Sequence, residues 1–417
     1  MKVKSSALTL LLMGLLFTAS NLFAQATSDT DNGDANGRPG KSLDTLADVL
    51  MPMLIPDFPM SKHFDMDGEN SDMESRLESG EVKLKTKTYS KTYPTDASGE
   101  LKIDNSFGRI TVNTWNKPEF KVEVQMKIYA DNETDAQQFL DIINITGHKT
   151  DALVSFKTLI GDDSGKGTEL WQGDGKSRIK KIEVNYMVYM PAKNALVVNN
   201  RYGNTILPNL DGKLSITNFY GNLKAGRLSN TLNDIKVRYG SADIENLCGS
   251  ILDVAYGKLN LLESDKLNLS ISYGSSKIGR IHTSGNIKAK FCGDVQINGL
   301  DKGLKSLDIN SAYSTLKLTT ADNENANFDI TTNYGSFSYD NAKVNMNHMN
   351  DASVKDDKNS TKTYTGSLGK GSSQKLITIK ANFGSIRFIE FKIAGTVKKN
   401  SDEENLHRYR NINLNND

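Results

Sequence analysis

Apolar and polar residues alternate along most of the chain from about Thr88 onward. "ELKIDNSFGRITVNTW" (100–115) keeps a two-residue period, and "EFKVEVQMKIYA" (119–130) puts Phe120, Val122, Val124, Met126 and Ile128 on one side of a strand. The period changes in "ETDAQQFLDIIN". Ala136, Phe139, Leu140 and Ile143 recur at i, i+3, i+4 and i+7, which predicts a short amphipathic helix over 133–143 with Asn132 as its N-cap. Alternation resumes in "KIEVNYMVYMP" and stops at Pro191.

From there an aromatic followed by a small residue returns at Tyr202, Tyr220, Tyr239, Tyr256, Tyr273, Phe291, Tyr313 and Tyr334, at intervals of 18, 19, 17, 17, 18, 22 and 21 residues. Phe107 and Phe383 share the phrase but stand apart from the array. Four residues before each of the ten aromatics stands an aliphatic: Ile103, Val198, Ile216, Ile235, Leu252, Leu269, Ile287, Ile309, Ile330 and Ile379. Even steps put aliphatic and aromatic on one face of a strand, while the next apolar pair comes at +3 and +5, as in Leu259 and Leu261. The odd step predicts a corner. Gly203, Gly221, Gly240, Gly257, Gly274 and Gly335 are expected to make it by adopting backbone angles closed to other residues. Cys292 and Ser314 take the glycine's place in two repeats, and Val295 and Ile297 lie one residue late, which predicts a bulge.

A unit this short cannot bury its own apolar face, but stacked units can, at ~4.8 Å per turn. The expected fold is mainly β: a single-chain parallel β-solenoid with the rings as an internal ladder, preceded by a β-rich segment carrying the helix. Loss of one buried ring is then expected to cost about 3–5 kcal/mol.

The ends divide the chain further. Lys2 and Lys4, an apolar run from Ala7 to about Phe17, and Ala24-Gln25-Ala26 have the layout of a signal peptide over 1–26. Residues 27–83 read as a disordered linker with one apolar island at 43–60. The β-rich region then spans 84–191 and the solenoid 192–395, with a polar insertion at 345–374 and a disordered tail at 396–417. No later segment is apolar for long enough to span a bilayer. The expectation is export to the periplasm or surface of a Gram-negative cell.

Composition and motifs narrow the chemistry. Lysines and arginines number 51 against 50 acidic residues, which gives no reason to expect a nucleic-acid partner. Cys248 and Cys292 fall three turns apart, beyond disulfide reach, and are expected as free, mostly buried thiols. Gly175-Lys176-Ser177 ends like a phosphate loop, but Leu170 stands where its first glycine belongs. In Asp65-Met66-Asp67-Gly68 the glycine comes too early for a calcium loop. The five histidines are scattered, and only His282 lies within the regular repeats. A glycan-cleaving solenoid needs carboxylates stacked across turns. The positions matching Asp243 hold Lys224, Asn260 and Lys277, and those matching Glu245 hold Gly226, Leu262 and Gly279. No catalytic, metal or cofactor site is therefore expected.

"YPTDASGELKIDNSFGRITVNTWNKPEFKVEV", the helix "DAQQFLDII" and the "YMVYMP…NRYGN" junction resemble an envelope family of Gram-negative bacteria. Its members are β-strand-repeat, adhesin-head-like proteins. The resemblance spans roughly 91–388 and implies a right-handed β-helix with no assigned catalytic residues. The expected function is a non-enzymatic envelope scaffold or binding module for a glycan, cell-wall or protein partner. The alternatives are a periplasmic stress-signalling component acting through the island at 43–60, and a polysaccharide-cleaving enzyme.

Overall fold

The computed structural model describes residues 69–161, 178–320, 325–339, 344–351, 360–369 and 373–390. The chain divides into two units, Met1–Ser71 and Asp72–Asp417, and the second holds nearly all of these residues. The expected signal peptide, apolar island and C-terminal tail lie outside the described residues, as do the phosphate-loop-like and calcium-like stretches.

The alternating segments form two large mixed sheets, of thirteen and fourteen strands among the described residues. Each aromatic phrase stands where the chain passes from one sheet to the other. Around Tyr256, the strand Ile251–Ala255 buries Leu252 and Val254, and Lys258–Asp265 in the other sheet buries Leu259 and Leu261. The odd step in the apolar pattern is this change of sheet.

Pairing between repeats is parallel and in register. The aliphatics four residues before the aromatics make one column, Ile103 to Val198 to Ile216 to Ile235 and onward to Ile309. Every member is buried, so apolar burial fixes the register and a one-residue slip would turn the whole column outward.

At the C-terminal end, chain order and spatial order part. The strand Leu376–Asn382 pairs with Ser306–Ala312 on one side and Ala326–Asn333 on the other. In the second sheet Ser385–Glu390 lies between Thr315–Thr320 and Ser336–Tyr339. The last repeat is thus inserted between the two that precede it in sequence. Phe383 does not stand apart, and neither does Phe107, because Glu100–Ser106 pairs in register with Ala195–Arg201.

Antiparallel strands finish three of the four sheet ends. Ile143–Thr150 with Leu153–Ile160 closes one sheet at its first end. Val344–Asp351, which enters the expected polar insertion from its first edge, with Thr361–Leu368 inside that insertion, closes the same sheet at the other end. The second sheet begins with Lys83–Pro94 against Glu119–Ala130, itself antiparallel to Ile179–Met190. That edge strand carries Lys83, Lys85, Lys87 and Lys91, and such charges discourage pairing with another chain.

The amphipathic helix covers Glu133–Asp141, with the Asn132 side chain accepting the Asp135 N–H at 2.9 Å. It stops short of the expected 143 because Ile143 already belongs to the next strand. A second helix, Glu69–Glu78, lies inside the stretch expected as linker. Arg76 stands in its last turn, where a positive charge suits the helix dipole.

Candidate functional site

The ten aromatics form one stack. Ring centroids from Phe107 through Tyr202, Tyr220, Tyr239, Tyr256, Tyr273, Phe291, Tyr313 and Phe383 to Tyr334 are 4.7–5.1 Å apart, with planes within 10° of parallel. Nine strand spacings give a ridge roughly 45 Å long.

The stack is not internal. Tyr239, Tyr256, Tyr273, Phe291, Tyr313, Phe383 and Tyr334 are 41–60 % exposed. The reason is in the backbone, because all ten aromatics have φ between +51° and +65°. One residue in the left-handed region reverses the strand's alternation and swings the ring out across the corner between the sheets. The left-handed residue is therefore the aromatic and not the glycine after it. The glycine answers a different need: a Cβ at Gly257 would collide with the carbonyl oxygen of Gly240, and one at Gly240 with that of Gly221. Gly203, Gly221, Gly274 and Gly335 are held by the same close approach to the neighbouring repeat.

Beneath the first corners lies a polar column that the even spacing hid among core positions. Asn105, Asn200 and Asn218, each two residues before its aromatic, are buried. Asn105 Nδ2 donates to the Val184 carbonyl at 3.0 Å, Asn200 Nδ2 to the Gly108 carbonyl at 3.1 Å, and Thr205 Oγ1 to Asn218 Oδ1 at 2.7 Å. Val237 ends the column, leaving Asn218 Nδ2 buried without a partner. The signal was visible in sequence as the repeated Asn of "NSFG", "NNRYG" and "NFYG".

The file of glycines beside the ridge is interrupted where Cys292 and Ser314 stand in their place. Both side chains turn inward onto main-chain groups. Ser314 Oγ accepts the Cys292 N–H at 3.0 Å and donates to the Ala312 carbonyl at 2.9 Å. Gly293 is the extra residue of the expected bulge, since Ser275 pairs with Asp294. Beside the stack here runs an open groove of about 780 Å³. Tyr313, Phe383 and Tyr334 line it, and Thr315, Ser385 and Ser336 add hydroxyls alongside the bare backbone of Gly293, Gly335 and Gly384. Among the described residues the lining contains no Asp, Glu, Lys, Arg or His.

Of the other residues noted in the sequence, Cys292 borders this groove, while Cys248, Asp243 and His282 do not. Cys248 and Cys292 are both free; burial pushes both thiols up from their ordinary pKa. Asp243 lies beside Lys224 and Asn260, whose Nδ2 donates to it at 2.7 Å. His282 sits between Asp301, 3.2 Å from its Nδ1, and Glu263, 3.4 Å from its Nε2. The Asp301 carboxyl is held below its usual range, first by the Gly303 N–H and then by His282. Among the described residues no cluster of His, Cys, Asp and Glu could hold a metal ion, and no helix is long and apolar enough to cross a membrane.

No protein-family model matches the chain, and no curated protein matches it by sequence. Solved structures do. A "putative adhesin" from Bacteroides fragilis is 11% identical over 72% of this chain and 97% of its own, with a TM-score of 0.27. A "putative lipid binding protein" from Parabacteroides distasonis is 13% identical over 73% and 97%, also at 0.27. A "putative cell adhesion protein" from Clostridium sporogenes is 11% identical over 74% and 100%, at 0.19. Scores this low define neither fold nor function.

Proposed function

We propose that the protein is an exported, non-enzymatic β-solenoid, a right-handed β-helix, that serves as an envelope scaffold or as a binding module for a glycan, cell-wall or protein partner. One observation carries the reading. A single parallel register runs through ten repeats and sets their aromatics in one continuous ridge. A surface that repeats in this way suits extended partners better than small molecules. Export is supported by the signal-peptide layout of residues 1–26. A stress-signalling role would rest on the island at 43–60, outside the described residues.

The test is co-sedimentation of the purified, folded protein with isolated outer membranes, cell-wall sacculi and envelope polysaccharide, with released sugar measured in parallel. Retention on one fraction without sugar release supports the reading. Sugar release that needs the folded protein would make it an enzyme, and retention on none would remove the binding role.

A further inference from the structure

We propose that the groove beside Tyr313, Phe383 and Tyr334 is a binding site for an uncharged saccharide chain; this deepens the binding reading above and rests on it. Three features select the ligand. Among the described residues the lining has no Asp, Glu, Lys, Arg or His, so these residues offer no charge to balance a phosphate, a uronic acid or a peptide terminus. It pairs aromatic carbon on one side with hydroxyls and exposed backbone on the other. That is the match for a molecule with apolar C–H faces and a rim of hydroxyls. The groove is open to solvent and falls in the size range of ligand sites, which suits a segment of a polymer.

Within the ridge each ring has both faces covered by its neighbours, so those rings offer only edges. Tyr334 differs. It ends the stack, is 60 % exposed, and among the described residues no ring lies beyond it. Among the described residues its outer side is the part of the ridge that no second ring covers, so a sugar can lie against the ring there, with Ser336 two residues away to meet the sugar's hydroxyls. The site exists because the last repeat is inserted. Phe383 separates Tyr313 from Tyr334 and brings Thr315, Ser385 and Ser336 into adjacent strands.

The experiment titrates the full chain with neutral tetrasaccharides (β-1,4-glucan, β-1,3-glucan, β-1,4-xylan, α-1,4-glucan and N-acetylchitotetraose) and with tetragalacturonate as the charged comparison. Binding is followed by ligand-observed NMR. Two variants locate the site. Tyr334→Asn removes the ring while keeping a residue that accepts the left-handed backbone, and Ser336→Arg fills the groove from an exposed position. The expected result is binding of at least one neutral tetrasaccharide, insensitive to salt, weakened about tenfold by Tyr334→Asn as for loss of one stacking contact, and abolished by Ser336→Arg. Binding that both folded variants retain would overturn the groove assignment while leaving the binding module intact. Selective binding of tetragalacturonate, or of no saccharide by a chain still retained on an envelope fraction, would overturn the ligand class.

Discussion

Replacing Tyr256 separates the two accounts of the corner. The ring lies between Tyr239 at 4.7 Å and Tyr273 at 4.8 Å, with planes 7° and 1° from parallel. It is 48 % exposed, so about half of the ~3–5 kcal/mol typical of a buried aromatic applies, and two stacked contacts add about 0.5–1.5 kcal/mol each. Tyr256→Ala is therefore expected to destabilise by about 2.5–5.5 kcal/mol. Alanine still carries the left-handed penalty of ~1–2 kcal/mol at φ +56°, which glycine does not. Glycine's extra freedom in the unfolded chain offsets part of that gain, by roughly 0.5–1 kcal/mol. Tyr256→Gly should thus be the milder change, by up to about 1 kcal/mol. Were Tyr256 an ordinary inward strand residue, the order would reverse. Gly257→Ala should be the worst of the three, because its Cβ meets main chain that cannot move aside. The assay is urea unfolding with hydrogen exchange over residues 250–275, since a repeat array need not unfold in one step. A glycine variant less stable than the alanine variant, or a tolerated Gly257→Ala, would refute the corner geometry.

Val237→Thr places a hydroxyl one repeat from the unpaired Asn218 Nδ2 and should stabilise by about 0.5–1.5 kcal/mol, whereas Val254→Thr, between Val237 and Ile271, should cost about 1–3 kcal/mol; thermal unfolding of the two variants checks the contrast. Cys248 should react with a disulfide reagent well before the buried Cys292, with no bond between them, which thiol counting in native and denatured protein reads directly. The Asp301 carboxyl is depressed in the folded state, so its contribution is present above the unfolded carboxylate pKa and fades as pH falls through the folded value. Asp301→Asn should accordingly lower stability at neutral pH and flatten its acid dependence, as measured by unfolding at a series of pH values.

Much of the fold could be read from one strand of reasoning. The aliphatic four residues before each aromatic is in register in space because burial of that column leaves the sheets no other alignment. What the pattern could not give was the direction of the ring. Alternation at −4, −2 and 0 predicts an inward side chain, and only a backbone angle absent from sequence turns Tyr256 outward. Nor could it give spatial order. Phe107 and Phe383 are separated from the array by excursions of the chain, and separation along the chain says nothing against adjacency in the sheet. The strands Val344–Asp351 and Thr361–Leu368 were obscured by the Gly- and Ser-rich composition around them. The groove was illegible for the same reason as the order: Tyr313, Phe383 and Tyr334 meet only because the last repeat goes between the two before it. The Asn column at Asn105, Asn200 and Asn218 is written in the sequence, as an Asn two residues before each of three aromatics.

Paired cysteines test that insertion directly. Ala312 and Asn382 are in-register partners, as are Asn382 and Asn333, so each pair lies one strand spacing apart and within disulfide reach, while Ala312 and Asn333 lie two spacings apart and beyond it. In a Cys248→Ser background, Ala312→Cys with Asn382→Cys, and Asn382→Cys with Asn333→Cys, should each cross-link under mild oxidation in the folded protein, and Ala312→Cys with Asn333→Cys should not. A cross-link between positions 312 and 333 alone would mean that the repeats stack in chain order with the last one outside, and would contradict the account.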